Sequence, residues 1–93
     1  MKEQTIQGKI ITYLEKQGFY VINVITASKN GVNDLIACSP TGRFWSIEVK
    51  KPGEEPSKLQ FYNIDEVEER GGVAFWCDSF QSFLMKYKNS TVV

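Results

Sequence analysis

The chain has 93 residues, of which 42% are hydrophobic and 13% aromatic, with 11 basic and 11 acidic side chains and no histidine. This length predicts one small domain over residues 1–93, with enough apolar side chains for a core. No apolar run reaches the roughly 20 residues of a membrane-spanning helix, and the lack of histidine removes the commonest general base and transition-metal ligand.

The N-terminal segment and the cysteines indicate the compartment. Residues 1–5 carry no apolar stretch of the kind found in secretion signals, which predicts a cytoplasmic protein. Cys38 and Cys77 lack the C-x-x-C spacing of zinc and redox sites. We expect both to be reduced thiols that act as small apolar fillers.

The first half of the chain predicts a helix followed by three strands. Apolar residues recur at helical spacing from about Glu3, and Gly18 ends that helix. The β-branched and aromatic run 19–25 predicts a first strand that is buried on much of both faces. After a polar loop, residues 34–38 and 43–50 predict two strands, which the turn residues between them join into an antiparallel hairpin.

Successive side chains of the third strand point to opposite faces of the sheet. Trp45, Ile47 and Val49 fall on one face, and Glu48 and Lys50 fall together on the other.

The second half predicts two helices around a fourth strand. The sequence from Ser57 to Gln60 matches a capping box that opens a helix. Its apolar side comprises Leu59, Phe61, Tyr62, Ile64 and Val67. Two glycines end this helix, residues 73–77 predict a strand parallel to the third, and Asp78 or Ser79 caps a last helix. The fold class is therefore α/β, with the order αβββαβα and a four-stranded mixed sheet flanked by helices.

Charge is unevenly distributed along a chain whose net charge is zero. Residues 1–53 hold seven basic and four acidic side chains, and residues 54–93 hold four and seven. This predicts a positive face in the first half if its acids surround divalent ions. Ordinary solvated charge explains the same counts.

Asp34, Glu48 and Lys50 are the residues that indicate chemistry. Antiparallel pairing of the hairpin places the start of its first strand beside the end of its second, so the two acids converge with the lysine near them. One or two Mg²⁺ or Mn²⁺ ions held by such carboxylates, and by the carbonyl of Val49, neutralise a phosphate and activate water. Lys50 would position or deprotonate that water, or offset the developing charge.

The G-V-N-D sequence of residues 31–34, the hairpin and the E-V-K sequence of residues 48–50 together resemble the PD-(D/E)XK nuclease superfamily. More narrowly, the chain is similar to the virus-type replication-repair nuclease (VRR-NUC) domain, in its small stand-alone phage-like form. The resemblance covers about residues 3–87 and implies a restriction-endonuclease-like core. Asn33 stands where the family often has proline, a position of turn geometry that Gly31 also serves.

The resemblance also implies roles for residues on the two flanking helices. Glu3, acting through water, and Gln7 would support the metal site from the first helix, and Gln60 would approach the metal or phosphate from the second. Alternatives remain open, because Glu3 also favours the helix dipole and Gln60 also closes the capping box. Five polar residues are candidates for contacts to DNA phosphates, namely Lys9, Ser28, Lys29, Lys51 and Lys58. The alternative is that they are ordinary solvated surface.

The sequence therefore predicts a Mg²⁺- or Mn²⁺-dependent DNA endonuclease. The resemblance permits branched or structured DNA as substrate, as cut by Holliday-junction resolvases, and the host-cell cytoplasm if a phage encodes the chain. The aromatic excess favours a homodimer with an apolar patch from the fourth strand or its flanking helices. The alternatives are a non-catalytic module that binds DNA or a protein on a nuclease-like fold, and a small structural interaction protein.

Overall fold

The computed structural model describes residues 2–91, so Met1, Val92 and Val93 of the predicted domain lie outside the described residues. The elements are α1 (Glu3–Lys16), β1 (Tyr20–Asn23), β2 (Leu35–Cys38), β3 (Phe44–Val49), α2 (Lys58–Glu69), β4 (Val73–Cys77) and α3 (Phe80–Thr91). The predicted order αβββαβα is confirmed. In the described part of the chain, no helix is both long enough and apolar enough to cross a membrane.

The four strands form one mixed sheet in the order β1-β2-β3-β4. β1 and β3 each pair with β2 in antiparallel fashion, and β4 pairs with β3 in parallel fashion. The α2 helix makes the crossover between β3 and β4. The predicted hairpin and the predicted parallel pair are both confirmed.

The main core lies between one face of this sheet and the helices α1 and α3. Trp45, Ile47 and Val49 face α1, whose Ile6 and Ile10 are fully buried. Tyr13 of α1 packs edge-on against three aromatic rings of α3, those of Phe80, Phe83 and Tyr87. The α2 helix covers β3 and β4 from the other side, where Phe61 packs edge-on against Trp76.

The prediction for β1 was wrong in length and in burial. The strand covers Tyr20–Asn23 instead of residues 19–25, and it lies at the edge of the sheet. Tyr20 is 71% exposed and Ile22 is 46% exposed. The physical reason is that α2 contacts β3 and β4, and thus leaves the outer face of β1 uncovered.

Two other burial predictions need correction. Cys77 is a buried filler as predicted, and its burial raises the pKa of its thiol to about 12, whereas Cys38 is exposed on the uncovered sheet face. On the predicted apolar side of α2, Ile64 is buried, but Leu59, Phe61 and Tyr62 are exposed to solvent. Both deviations arise because α2 packs over one half of the sheet only.

Phe83 supplies a test of this core. Its ring is fully buried among aromatic neighbours, so Phe83→Ala should lower the free energy of unfolding by about 3 to 5 kcal/mol. Urea denaturation measures this change. Met85→Ala is the matched control on the same helix, because Met85 is 69% exposed and its truncation should change stability by less than about 0.5 kcal/mol. Equal losses in the two variants would contradict this packing.

Candidate active site

The loop between β1 and β2 places Asp34. Its two ends are joined by a hydrogen bond from the Val24 amide to the Asp34 carbonyl, at 2.8 Å. Gly31 has a φ of +76°, and a Cβ atom there would lie 2.6 Å from Cγ of Leu59 and 2.9 Å from Nδ2 of Asn63. Glycine is thus required both by the backbone conformation and by the close approach of α2. Asp34 follows three residues later, immediately before β2.

Strand β3 brings Glu48 opposite Asp34. The register pairs Leu35 with Ile47, and one further step along each strand sets Asp34 opposite Glu48. The carboxylate of Asp34 is fixed there, because its Oδ2 accepts a hydrogen bond from the backbone N–H of Val49 at 2.9 Å. The convergence predicted from the hairpin is therefore present in the structure.

Lys50 lies beside this pair. Its Nζ is 3.6 Å from Oε2 of Glu48, and its side chain is half-buried. Its backbone N–H donates to the carbonyl of Cys77 at 2.9 Å, which ties the end of β3 to β4. The structure thus brings together the two acids and the lysine that the sequence singled out.

Burial of Glu48 dominates the electrostatics of the site. The side chain is only 1% exposed. The pKa of Glu48 is raised from 4.5 to about 8, first by desolvation and next by the negative charge of Asp34, while the positive charge of Lys50 opposes the shift. Glu3 adds a smaller contribution in the upward direction. Glu48 therefore tends to hold a proton near neutral pH unless a cation balances its charge.

The donor set of this site fits a hard divalent cation. Oε1 of Glu48 is buried and has no hydrogen-bond partner among the described residues, a costly state for a carboxylate oxygen. A cation between Glu48 and Asp34 would relieve both this desolvation and the mutual repulsion. Within residues 2–91 no group of three or more Asp, Glu, Cys or His side chains is placed to hold a metal. Two carboxylates nevertheless suffice for Mg²⁺, which keeps several of its waters.

A cleft of about 780 Å³ opens in front of Asp34. Glu3 and Gln7 from α1 line it, and the supporting role that the resemblance implied for them stays a prediction. Lys51 lines it too, and so does Lys2, which sequence reasoning did not single out. In the sequence, the position of Lys2 at the site was indicated only by its place directly before Glu3.

The structure gives Gln60 the role of a helix cap. Its side-chain Oε1 accepts a hydrogen bond from the backbone N–H of Ser57 at 2.9 Å, and its backbone N–H donates to the Ser57 hydroxyl at 3.2 Å. Both halves of the predicted capping box are thereby present. A contact of Gln60 with metal or phosphate stays a prediction.

The other predicted DNA contacts are spread over the surface. Ser28 and Lys29 are exposed in the loop before Gly31, and Lys58 is exposed at the start of α2. Lys9 lies on another side of α1, in a hollow with Tyr13. Among the residues predicted to contact DNA, only Lys51 lines the cleft in front of Asp34.

The strand order and the acidic cluster at the end of the hairpin define a restriction-endonuclease-like fold. The structure is similar to a solved structure described as a VRR_NUC domain, with a TM-score of 0.81, 24% sequence identity, and coverage of 92% of this chain and 94% of that chain. The resemblance to this domain that the sequence indicated is therefore confirmed at the level of the fold.

A sequence relative comes from a phage. The chain is 27% identical over 60 residues to "Putative nuclease p44" of Acyrthosiphon pisum secondary endosymbiont phage 1. The matched segment is 64% of this chain and 64% of the phage protein. No family model matches the chain.

The raised pKa of Glu48 predicts how stability depends on pH in the metal-free protein. Glu48 binds its proton more tightly in the folded chain than in the unfolded chain, so its contribution is fully present below pH 4.5 and is lost as pH rises through about 8. We expect the free energy of unfolding to fall across that range by up to about 1.4 kcal/mol per pH unit. Urea denaturation in chelator at several pH values measures this slope.

Two substitutions isolate the contribution of Glu48. Glu48→Gln should flatten the slope, because the neutral amide resembles the protonated acid. Asp65→Asn, which changes an exposed acid on α2, should leave the slope as in the wild type. A Glu48→Gln protein with the wild-type slope would disprove the assignment of the titrating group.

Proposed function

We propose that this protein is a metal-dependent DNA endonuclease that hydrolyses phosphodiester bonds, with branched or structured DNA as its substrate. The observation that carries the proposal is the buried Glu48, which has an unpartnered oxygen and lies opposite Asp34 and beside Lys50. Such a cluster destabilises the fold when no cation is bound. Its presence is explained if the protein is an enzyme that binds a cation there. The VRR_NUC-like fold and the name of the phage relative, a nuclease, support the same activity.

Asp34, Glu48 and the backbone carbonyl of Val49 would hold Mg²⁺ or Mn²⁺. When bound there, the metal supplies Lewis acidity toward a phosphate oxygen and lowers the pKa of a coordinated water. The protein contributes the orientation of its ligands. Because the Val49 amide already occupies Oδ2 of Asp34, this carboxylate cannot rotate freely, and its Oδ1 is left for other contacts.

Lys50 places a positive charge where a scissile phosphate would approach the acids. Its ammonium group would donate hydrogen bonds to a phosphate oxygen or to the attacking water, and it would offset the negative charge that develops. Water is largely excluded around the neighbouring Glu48, so the local dielectric constant is low and these interactions are stronger. Glu3 and Gln7 would orient water from the side of α1, and Gln60 would contact phosphate only by giving up part of its cap.

Basic residues around the cleft would guide the DNA backbone. Lys51 and Lys2 line the cleft itself, and we assign the first phosphate contacts to them. Lys9, Lys29 and Lys58, with Ser28, would meet phosphates farther from the cut. Binding through such contacts weakens steeply with added salt.

A homodimer would place two sites on one branched substrate. The exposed apolar residues Leu59 and Tyr62 on α2, a helix that flanks β4, support this part of the proposal. The phage origin of the sequence relative supports the host-cell cytoplasm as the place of action.

Substitution of the three central residues tests catalysis. Asp34→Asn, Glu48→Gln and Lys50→Ala should each lower the cleavage rate by more than about 100-fold, since each removes a ligand or the charge at the phosphate. Cleavage of linear, flapped and four-way DNA is measured on gels in Mg²⁺, in Mn²⁺ and in chelator. Four-way or flapped DNA should be cut faster than linear duplex.

The controls are exposed residues of the same types away from the site. Asp65→Asn and Lys88→Ala should cut at the wild-type rate. Circular dichroism must show that all variants are folded. If the three site variants cut as well as these controls, the assigned site is wrong, and if no substrate is cut in either metal, the proposed activity is wrong.

Metal binding also predicts a gain in stability. Because the cation binds the folded site and relieves its repulsion, Mg²⁺ well above its dissociation constant should raise the melting temperature by roughly 5 °C or more. Asp34→Asn should lose most of this gain, and Asp65→Asn should keep it. Melting followed by circular dichroism with Mg²⁺ and with chelator measures the shift, and an equal shift in both variants would place the metal elsewhere.

A further inference from the structure

A second cavity, of about 460 Å³, lies between α2 and the strands β2 and β3. We call it the α2 cavity. Its sheet side is formed by Ile36, Phe44 and Ser46, which share one face because Ile36 pairs with Ser46 in the register. Val67 of α2 and Val32 of the preceding loop complete an apolar wall.

Asn33 lines this cavity and carries one polar atom that lacks a partner within residues 2–91. Asn33 is 1% exposed, and its Nδ2 donates a hydrogen bond to Oγ of Ser46 at 2.9 Å. Its Oδ1 is buried and has no hydrogen-bond partner among the described residues. An unpaired amide oxygen in such a place costs about 1 to 3 kcal/mol. A ligand that brings an N–H group to this part of the wall would recover that cost.

Positive charge lies at the mouth of the α2 cavity. Lys29 and Arg70 line it and are exposed. Glu66 also lines it and pairs with Arg70 at 3.4 Å, so the mouth carries one net positive charge. An apolar slot, a buried hydrogen-bond acceptor and a cationic rim together match a nucleotide, whose flat base carries an amino group and whose phosphate is anionic.

The α2 cavity is built on the same two segments as the candidate active site. Asn33 directly precedes Asp34, and Ser46 lies two residues before Glu48 on β3, a separation of roughly 7 Å along a strand. We propose that the α2 cavity binds one unstacked nucleotide of the substrate strand next to the scissile phosphate. This inference rests on the proposed nuclease function and names its substrate class, which is DNA with an unpaired nucleotide at the cut. Removal of a base from its stack costs least where the base is already unpaired, so the α2 cavity would select such sites.

Binding of a mononucleotide tests the α2 cavity without cleavage. We would titrate the isotope-labelled, metal-free protein with deoxyadenosine monophosphate and follow its amide signals by nuclear magnetic resonance. The side-chain amide of Asn33 and the backbone amides of Val32 and Ser46 should shift in a saturable way. Deoxyadenosine should shift the same signals with weaker affinity, because it lacks the phosphate for Lys29 and Arg70.

A pair of matched substitutions separates the α2 cavity from the rest of the sheet. Ile36→Trp fills the cavity and should weaken binding of the nucleotide by about tenfold or more. Ile22→Trp is the control, because Ile22 is the register partner of Ile36 on the same face but does not line the cavity. It should bind as the wild type does. If Ile36→Trp does not fold, Val67→Phe fills the cavity from the side of α2.

The outcomes distinguish this inference from the proposed activity. Shifts confined to Lys29 and Arg70 that inorganic phosphate reproduces, or equal binding by the filled and control variants, would overturn the nucleotide site. So would a titration with no saturable shift, even if the wild-type protein cuts DNA. Saturable binding at Asn33 in a protein that cuts no DNA would leave the α2 cavity as a nucleotide site and remove its link to cleavage.

Discussion

The interior position of Glu48 is the constraint on which the site depends. A carboxylate at 1% exposure opposite a second carboxylate is stable only if it is protonated or balanced by a cation. The neighbouring groups relieve this only in part, since Lys50 approaches one oxygen and the other stays unpartnered. The surrounding fold must therefore supply stability from elsewhere, and it does so through the aromatic core between α1 and α3.

The same packing that covers the sheet also fixes the first acid of the site. Asn63 of α2 donates hydrogen bonds to the carbonyl of Asn30 in the loop and to that of Leu59, and the loop approaches α2 so closely at Gly31 that no side chain fits there. The loop then enters β2 through Asp34. The position of the Asp34 carboxylate is thus coupled to the packing of α2, and a change that loosens α2 would disturb the site as well as the fold.

Local patterns were sufficient to predict the order of the elements, the capping box at Ser57 and the meeting of Asp34 with Glu48. The alternation of side chains between the two faces of a strand, and the pairing of two strands in a hairpin, are determined by residues close together in the sequence. They can therefore be predicted from the sequence alone. The exposure of Tyr20 and Cys38 depends instead on where α2 crosses the sheet, a tertiary property without a local signal. For the same reason the sequence placed Glu48 on the face of Lys50 but gave no indication that its side chain is buried.

The outer edge of β4 is protected against pairing with another chain. Because the carbonyl of Cys77 points toward Lys50 of β3, that of Trp76 points to the outer edge of β4. Lys86 donates a hydrogen bond to this outer carbonyl, and its ammonium group lies 4.6 Å from the centre of the Trp76 ring. A strand added at β4 would have to displace this cation, a common protection of sheet edges. Pairing of another chain at the β4 edge is thus disfavoured, because it would separate Lys86 from both the carbonyl and the ring of Trp76.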